Sequence, residues 1–374
     1  MAMNPSGPAT VPETLTRTLR RVHRAASDLR RGVPVLLEGE TPLLLLAAES
    51  AGAESLVEFA SLGIAPPMIL FAPVRGAAAL RRPADAETDV IAAVLPAVLN
   101  NPDALRGLAD PTAPQPPPAG MVPVTAPPGA AAALALAKLG RLLPAVLAVA
   151  PAPGVNFEAR ALIGVSPGDV LAYPALEAAA LRIVASAPVP LVDAEDSRVV
   201  AFRAEGSAIE HLAIVIGRPE AVDAPLVRIH SECFTGDLLG SMRCDCGEQL
   251  RGAIARIAAH GAGIVLYLAQ EGRGIGLVNK LRAYTLQDKG LDTMDANRVL
   301  GWGADERNFL VGANMLLALG VSKVRLLTNN PDKIAGLIAC GVEVVGREAH
   351  AFAPNEVNDA YLATKAVRFG HMLD

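Results

Sequence analysis

Aromatic side chains make up 3% of the 374 residues and charged ones 19%, with six histidines and four cysteines in all. Where those few residues fall matters more than their totals. Before residue 151 the aromatics are Phe59 and Phe71 and the one lysine is Lys138; before residue 211 the one histidine is His23. The first half therefore offers almost nothing for proton transfer near neutral pH. No basic run is present and the net charge is −5, which argues against a protein held on nucleic acid by phosphate neutralisation. A local basic pocket for one small anion stays open. Membrane-spanning runs are also missing, despite a positive mean hydropathy. Residues 111–137 are uncharged but hold eight prolines, and 142–157 are short and broken by Pro144, Pro151 and Pro153, so neither makes a spanning helix of roughly 20 residues. The opening MAMNPSGPAT lacks the charged and then apolar order of a secretory signal. The expectation is a cytoplasmic protein with no membrane or nucleic-acid partner.

The length suffices for two domains, each with a core. In the first half, VPVLLEGETPLLLLAAE (33–49) reads as two buried strands around a glycine turn, whereas TDVIAAVLPAVL (88–99) and AAAALALAKLGRLL (130–143) read as helices. Residues 111–128 read as a proline-rich loop of polyproline character. A boundary is expected near 188–197, around PVPLVDAEDS, dividing the chain into 1–190 and 191–374. Beyond it VVAFRA and HLAIVIG read as a hairpin, EQLRGAIARIAAH as a helix and GIVLYLAQ as a buried strand. KVRLLT, NNPDKIAGLIACG and VEVV read as strand, helix and strand, with Asn330 as cap, Pro331 in the first turn and Gly341 past the end. The fold class expected is α/β with mixed sheets.

Three cysteines crowd one segment, RIHSECFTGDLLGSMRCDCGEQL: Cys233, Cys244 and Cys246. A disulfide is disfavoured in a reducing compartment and strained between residues two apart. Thiolates bind zinc well, and three protein ligands with one open position activate water, whereas a structural site takes four. Small cysteines filling a core, or a structural site completed by His230, are the plainer alternatives, but Arg243, Asp245 and Glu248 argue against a dry core. Cys340 lies in an apolar helix.

In QEGRGIGLVNKLRAYTLQDKG (270–290), Gly272, Gly274 and Gly276 let backbone approach a ligand, Glu271 can accept from a nucleobase edge, and Arg273 can fork onto phosphate. A tight turn into a helix is the alternative, and the spacing matches neither the ATPase phosphate loop nor the dinucleotide fingerprint. In GADERNF, Asp305 and Arg307 stand two apart beside Trp302, a pattern equally open to a solvated salt bridge.

Together RIHSECFTGD, RCDCGEQL, QEGRGIGL, AYTLQDKGLDT, GADERNF and LLTNNPDK, in order over about 188–374, resemble GTP cyclohydrolase II, which opens riboflavin biosynthesis. The resemblance implies conversion of GTP and water to formate, pyrophosphate and a diaminopyrimidinone ribosyl phosphate. It implies zinc ligands Cys233, Cys244 and Cys246, Asp305 as proton acceptor, Arg307 as nucleophile or transition-state stabiliser, and a catalytic Tyr284. It further implies GTP contacts from Arg228, Ile229, His230, Ser231, Glu232, Gln249, Glu271, Gly272, Arg273, Thr293, Thr328 and Lys333, a magnesium ion with the triphosphate, and a homodimer. A paralogue acting on another nucleotide and a non-catalytic GTP-binding regulator are the competing readings. The first half resembles 3,4-dihydroxy-2-butanone 4-phosphate synthase more thinly. That family's acidic magnesium-binding run is reduced to Glu38, Glu40 and Glu49, and its histidine has no counterpart, which implies a degenerate domain serving as scaffold or dimerisation surface.

Overall fold

The computed structural model describes residues 13–64, 66–83, 88–116, 120–350 and Phe352; MAMNPSGPAT and Pro117–Ala119 of the proline-rich stretch lie outside them. Among the described residues the chain forms two seven-stranded mixed sheets with helices packed on them, the expected α/β class. No helix there is long and apolar enough to cross a membrane.

The first sheet is assembled from α1 (Glu13–Arg30), β1 (Val35–Leu37), β2 (Leu43–Ala47), α2 (Ala53–Leu62), β3 (Met68–Phe71), α3 (Pro73–Leu80), β4 (Ile91–Val94), α4 (Pro102–Ala109), β5 (Val122–Val124), α5 (Ala130–Leu139), β6 (Ala145–Val149) and β7 (Gly164–Val165), in strand order β5-β4-β3-β6-β2-β1-β7. The predicted hairpin is present, Val35 to Leu37 pairing antiparallel with Leu45 to Leu43. The stretch 88–99, expected as a helix, is β4 followed by one short turn, Ala97–Leu99. Ile91, Ala92 and Ala93 are all buried, so no amphipathic period exists to betray the strand, and Pro96 blocks helix continuation. The segment 111–128 is not loop throughout: Val122–Val124 adds an edge strand, where Pro123 is tolerated because one side has no partner to satisfy.

Helix α6 (Pro167–Ala179) leads into the second sheet: β8 (Leu181–Pro188), β9 (Ser197–Ala204), β10 (Glu210–Ile216), β11 (Leu226–Ser231), α7 (Cys246–His260), β12 (Gly263–Leu268), α8 (Leu277–Gln287), α9 (Thr293–Val299), α10 (Phe309–Ala318), β13 (Lys323–Leu327), α11 (Pro331–Ala339) and β14 (Glu343–Glu348), in strand order β14-β13-β11-β12-β10-β9-β8. Strand β8 pairs with β9 in this sheet, so the sheet begins before the 190/191 division. The β9–β10 hairpin and the β13–α11–β14 unit follow the sequence reading, with Asn330 Oδ1 accepting from Asp332 N to cap α11. β12, β11, β13 and β14 run parallel.

Helices α8 and α9 pack away from the sheet whose sequence they interrupt. Ala283, Leu286, Ala296, Leu300 and Trp302 join Leu44, Phe71 and Leu143 in one core cluster on the first sheet. Arg282 ties this seam with ion pairs to Glu49 at 2.8 Å and Asp110 at 2.7 Å.

Candidate active site

The loops leaving the C-terminal ends of β11, β12 and β13 converge on one cleft of about 1110 Å³ including its mouth. Ligands bind at that end of parallel strands because every strand-to-helix loop gathers there.

β11 runs into Glu232 and Cys233 and then a tight turn, Phe234–Leu238. Cys246 opens α7, and the sulfurs of Cys233, Cys244 and Cys246 all lie within 4.8 Å of one another, with Cys233 and Cys244 3.7 Å apart. Gly236 leaves the room for them: a Cβ there would stand 2.8 Å from Cys244 Sγ, 2.8 Å from Cys246 Cβ and 3.0 Å from Cys233 Sγ. Hydrogen bonds from the Cys244 and Cys246 thiols, and from Lys280, hold the Cys233 thiol well below its ordinary range, while sharing that sulfur pushes the other two up. Three converging soft donors suit a metal ion. His230, the alternative fourth ligand, is not among them; its Nε2 lies 3.1 Å from Asp237 Oδ1 and its ring stacks on Tyr267. Burial lowers its pKa, and Asp237 opposes the shift.

Asp237 and Lys280 organise this corner, and neither drew a role from the sequence. Asp237 also accepts from Cys233 N at 2.9 Å and Tyr267 Oη at 3.0 Å. Lys280 Nζ reaches Cys233 Sγ, Thr235 Oγ1 and Glu271 Oε1, each at 2.9 Å. Glu271 is buried and also accepts from Phe234 N at 2.7 Å and Gly272 N at 2.9 Å, so most of its acceptor capacity already serves the chain. The glycine-rich loop takes left-handed backbone at Gly272, Arg273, Gly274 and Gly276. For Arg273 that conformation costs about 1–2 kcal/mol, and Glu306 N helps hold it by donating to Arg273 O at 3.1 Å.

Arg228 donates to Leu327 O at 2.9 Å and to Gln249 Oε1, and Gln249 in turn donates to Asp245. Burial lowers Arg228 to about 10, against the attraction of Asp245, so it stays cationic at neutral pH. Arg228 Nε and Ser231 Oγ are buried without a hydrogen-bond partner, as donors facing a ligand would be. Lys333 Nζ donates to Ile229 O at 2.7 Å. Thr328 Oγ1 accepts from Asn330 N at 3.0 Å, and Thr293 Oγ1 from Gln287 Nε2 at 3.2 Å. The Tyr284 ring faces the Arg243 guanidinium at 4.7 Å. Arg307 Nε donates to both Asp305 oxygens, at 2.8 and 3.0 Å. Burial pushes the Asp305 carboxyl up, but these bonds outweigh it and the pKa ends below the usual range.

Every residue to which the family resemblance gave a role lines the cleft except two, while Gly274 and Gly276 shape the loop without lining it. Ile229 points its side chain into the second core, and Asp305 is placed through its bonds to Arg307. Asn297, Asn329 and His350 also line the cleft without any sequence signal; burial, then Arg228, lowers His350 to about 4.

The family profile described as GTP cyclohydrolase II matches residues 182–349. A protein named GTP cyclohydrolase-2 from Azospirillum brasilense is 46% identical over 367 residues, covering 95% of this chain and 94% of that protein. A riboflavin biosynthesis protein RibBA from Parabacteroides distasonis is 51% identical over 176 residues, covering 47% of this chain and 44% of that protein. Among solved structures, RibBX from A. baumannii, a two domain 3,4-dihydroxy-2-butanone 4-phosphate synthase, is 17% identical with a TM-score of 0.33, covering 89% of this chain and 100% of that one.

Proposed function

The chain belongs to the GTP cyclohydrolase II family, and from that premise we propose that it converts GTP and water to formate, pyrophosphate and a diaminopyrimidinone ribosyl phosphate for riboflavin biosynthesis, with zinc on Cys233, Cys244 and Cys246. The observation that carries this reading is the three-sulfur cradle opening onto a cleft walled by Arg228, Arg273, Arg307 and Lys333. When bound there, zinc supplies a Lewis acid that lowers the pKa of water enough for attack on a purine carbon.

The chain's own groups do the rest. Arg228, Arg273 and Lys333, with a magnesium ion on the triphosphate, neutralise the charge that must be held as pyrophosphate leaves. Buried Arg228 Nε and Ser231 Oγ have capacity to meet GTP, as do the spare lone pair of Glu271 and the amide of Gln249 on the guanine edge. His230, Glu232, Gly272, Thr293 and Thr328 complete the contacts, Ile229 through its backbone, and Tyr284, lining the same cleft, takes a catalytic role. The Arg307 guanidinium, held by the Asp305 carboxylate, suits transition-state stabilisation; attack by Arg307 on phosphorus would first require Asp305 to take a proton from it.

The division into 1–190 and 191–374, a homodimer and a cytoplasmic location belong to the same proposal, as does a first domain without synthase activity. Two of the three acids left from that family's metal-binding run are in ion pairs, Glu38 with Arg21 and Glu49 with Arg282. Purified protein given GTP, zinc and magnesium should release formate and pyrophosphate; a fully metallated sample releasing no formate refutes the reading. Cys244→Ser should abolish ring opening while GTP binding persists, and ribulose 5-phosphate should give no butanone phosphate.

A further inference from the structure

We propose that two residues of the first half, Lys138 and Arg141, are positioning residues for the cleft built by the second. Lys138 closes α5 and pairs with Glu306 at 2.5 Å. The same Glu306 oxygen accepts from Gly303 N at 2.6 Å, and Glu306 N donates to the Arg273 carbonyl at 3.1 Å. Glu306 stands between Asp305 and Arg307 in sequence, so one side chain from α5 fixes the peptide segment that carries the Asp305–Arg307 pair and supports the backbone of Arg273.

Arg141 holds the glycine-rich loop at both ends. Its guanidinium donates to Ala269 O at 3.1 Å, just before the loop, and its carbonyl accepts from Asn279 Nδ2 at 3.1 Å, just after it. Gly276 lies over the Arg141 side chain, a Cβ there falling 3.1 Å from Arg141 Cδ. A loop with four successive or near-successive left-handed residues stays ordered only where surrounding structure over-determines it. Part of that support comes from a domain none of whose described residues lines the cleft.

The inference rests on GTP turnover as the activity, and the assay separates the two. Full-length wild type, K138A, K138R, E306Q and K138A/E306Q are compared for formate release, KM for GTP, zinc content and melting temperature. K138A should lose between about tenfold and a hundredfold in kcat through loop misplacement, with a smaller change in KM and with zinc content and melting temperature at wild-type levels. K138R should recover most of the loss. The double variant should be no worse than K138A, since both substitutions break one contact. The single tryptophan gives a readout independent of turnover, because Lys138 Nζ lies 5.5 Å from the Trp302 ring centroid. Trp302 emission, alone and on titration with GTP, should change in K138A and return in K138R. Wild type that releases no formate sinks the functional reading, and the Trp302 titration then judges the clamp. K138A with wild-type kcat, loss of kcat only in step with zinc or melting temperature, additive losses in the double variant, or Trp302 spectra identical to wild type would each overturn the inference.

Discussion

Replacing Gly236 by alanine places one methyl group in the middle of the sulfur cradle. The new Cβ would stand 2.8 Å from Cys244 Sγ and Cys246 Cβ and 3.0 Å from Cys233 Sγ, whereas comfortable contacts of this kind begin at about 3.5 Å. Three neighbours must each retreat by roughly half an ångström or more, a strain of the size of ordinary core overpacking, about 1–3 kcal/mol. The backbone contributes nothing, since Gly236 lies outside the left-handed region. Relief is poor because Cys233 N is anchored on Asp237 and Cys246 is fixed in the first turn of α7. Movement of the sulfurs is then the cheapest response, and at 1.4 kcal/mol per factor of ten, zinc affinity should fall by about tenfold to a hundredfold. Competition against a chromophoric zinc chelator measures this directly, with formate release followed in parallel. Gly240→Ala is the control: its φ is left-handed but a Cβ meets nothing within 4 Å, so it should cost stability and leave zinc affinity alone. G236A binding zinc and releasing formate like wild type would refute the steric argument.

Three further outcomes follow from the same geometry. Arg282→Gln strands two partly buried carboxylates, Glu49 and Asp110, and should lower unfolding free energy by about 3–5 kcal/mol; an unchanged urea midpoint contradicts it. Asp237→Asn removes a carboxylate serving His230, Cys233 N and Tyr267, and should cost about 1–3 kcal/mol, with weaker zinc retention on dialysis. Burial, then Arg141, lowers His211 from 6.5 to about 4, so its neutral form is favoured in the fold. The unfolded chain takes up the proton first, so this stabilisation is complete above pH 6.5 and is lost as pH falls towards 4, by about 3 kcal/mol. His211→Gln should flatten that acid limb in melts across the window, and an unaltered pH profile would count against the assignment.

The chemistry was more legible in the sequence than the packing. Cysteine spacing and the glycine loop are local patterns, and the strands that present them follow apolar runs, so Cys233, Cys244, Cys246, Gly272 and Arg273 meet where expected. The stretch 88–99 misled because a strand buried on both faces has no period of two to read, and its alanines favour helix. Asp237 and Lys280 escaped notice because a single acid or lysine carries no spacing signal; their importance lies in partners up to 47 residues away. Glu49 read as the remnant of a metal site, while its partner, Arg282, lies 233 residues along the chain.

The seating of α8 and α9 on the first sheet bears on how the protein comes into being. Ala283, Leu286, Ala296, Leu300 and Trp302 are synthesised well after the strands whose apolar face they close. An emerging chain therefore leaves the part of that face not covered by α2 and α4 open until translation has passed residue 302, and a fragment ending near 190 never completes it. Completion of the first core thereby depends on residues of the second half, which couples the stabilities of the two sheets. Cutting a gene at the 190/191 division should therefore leave apolar surface exposed on both pieces.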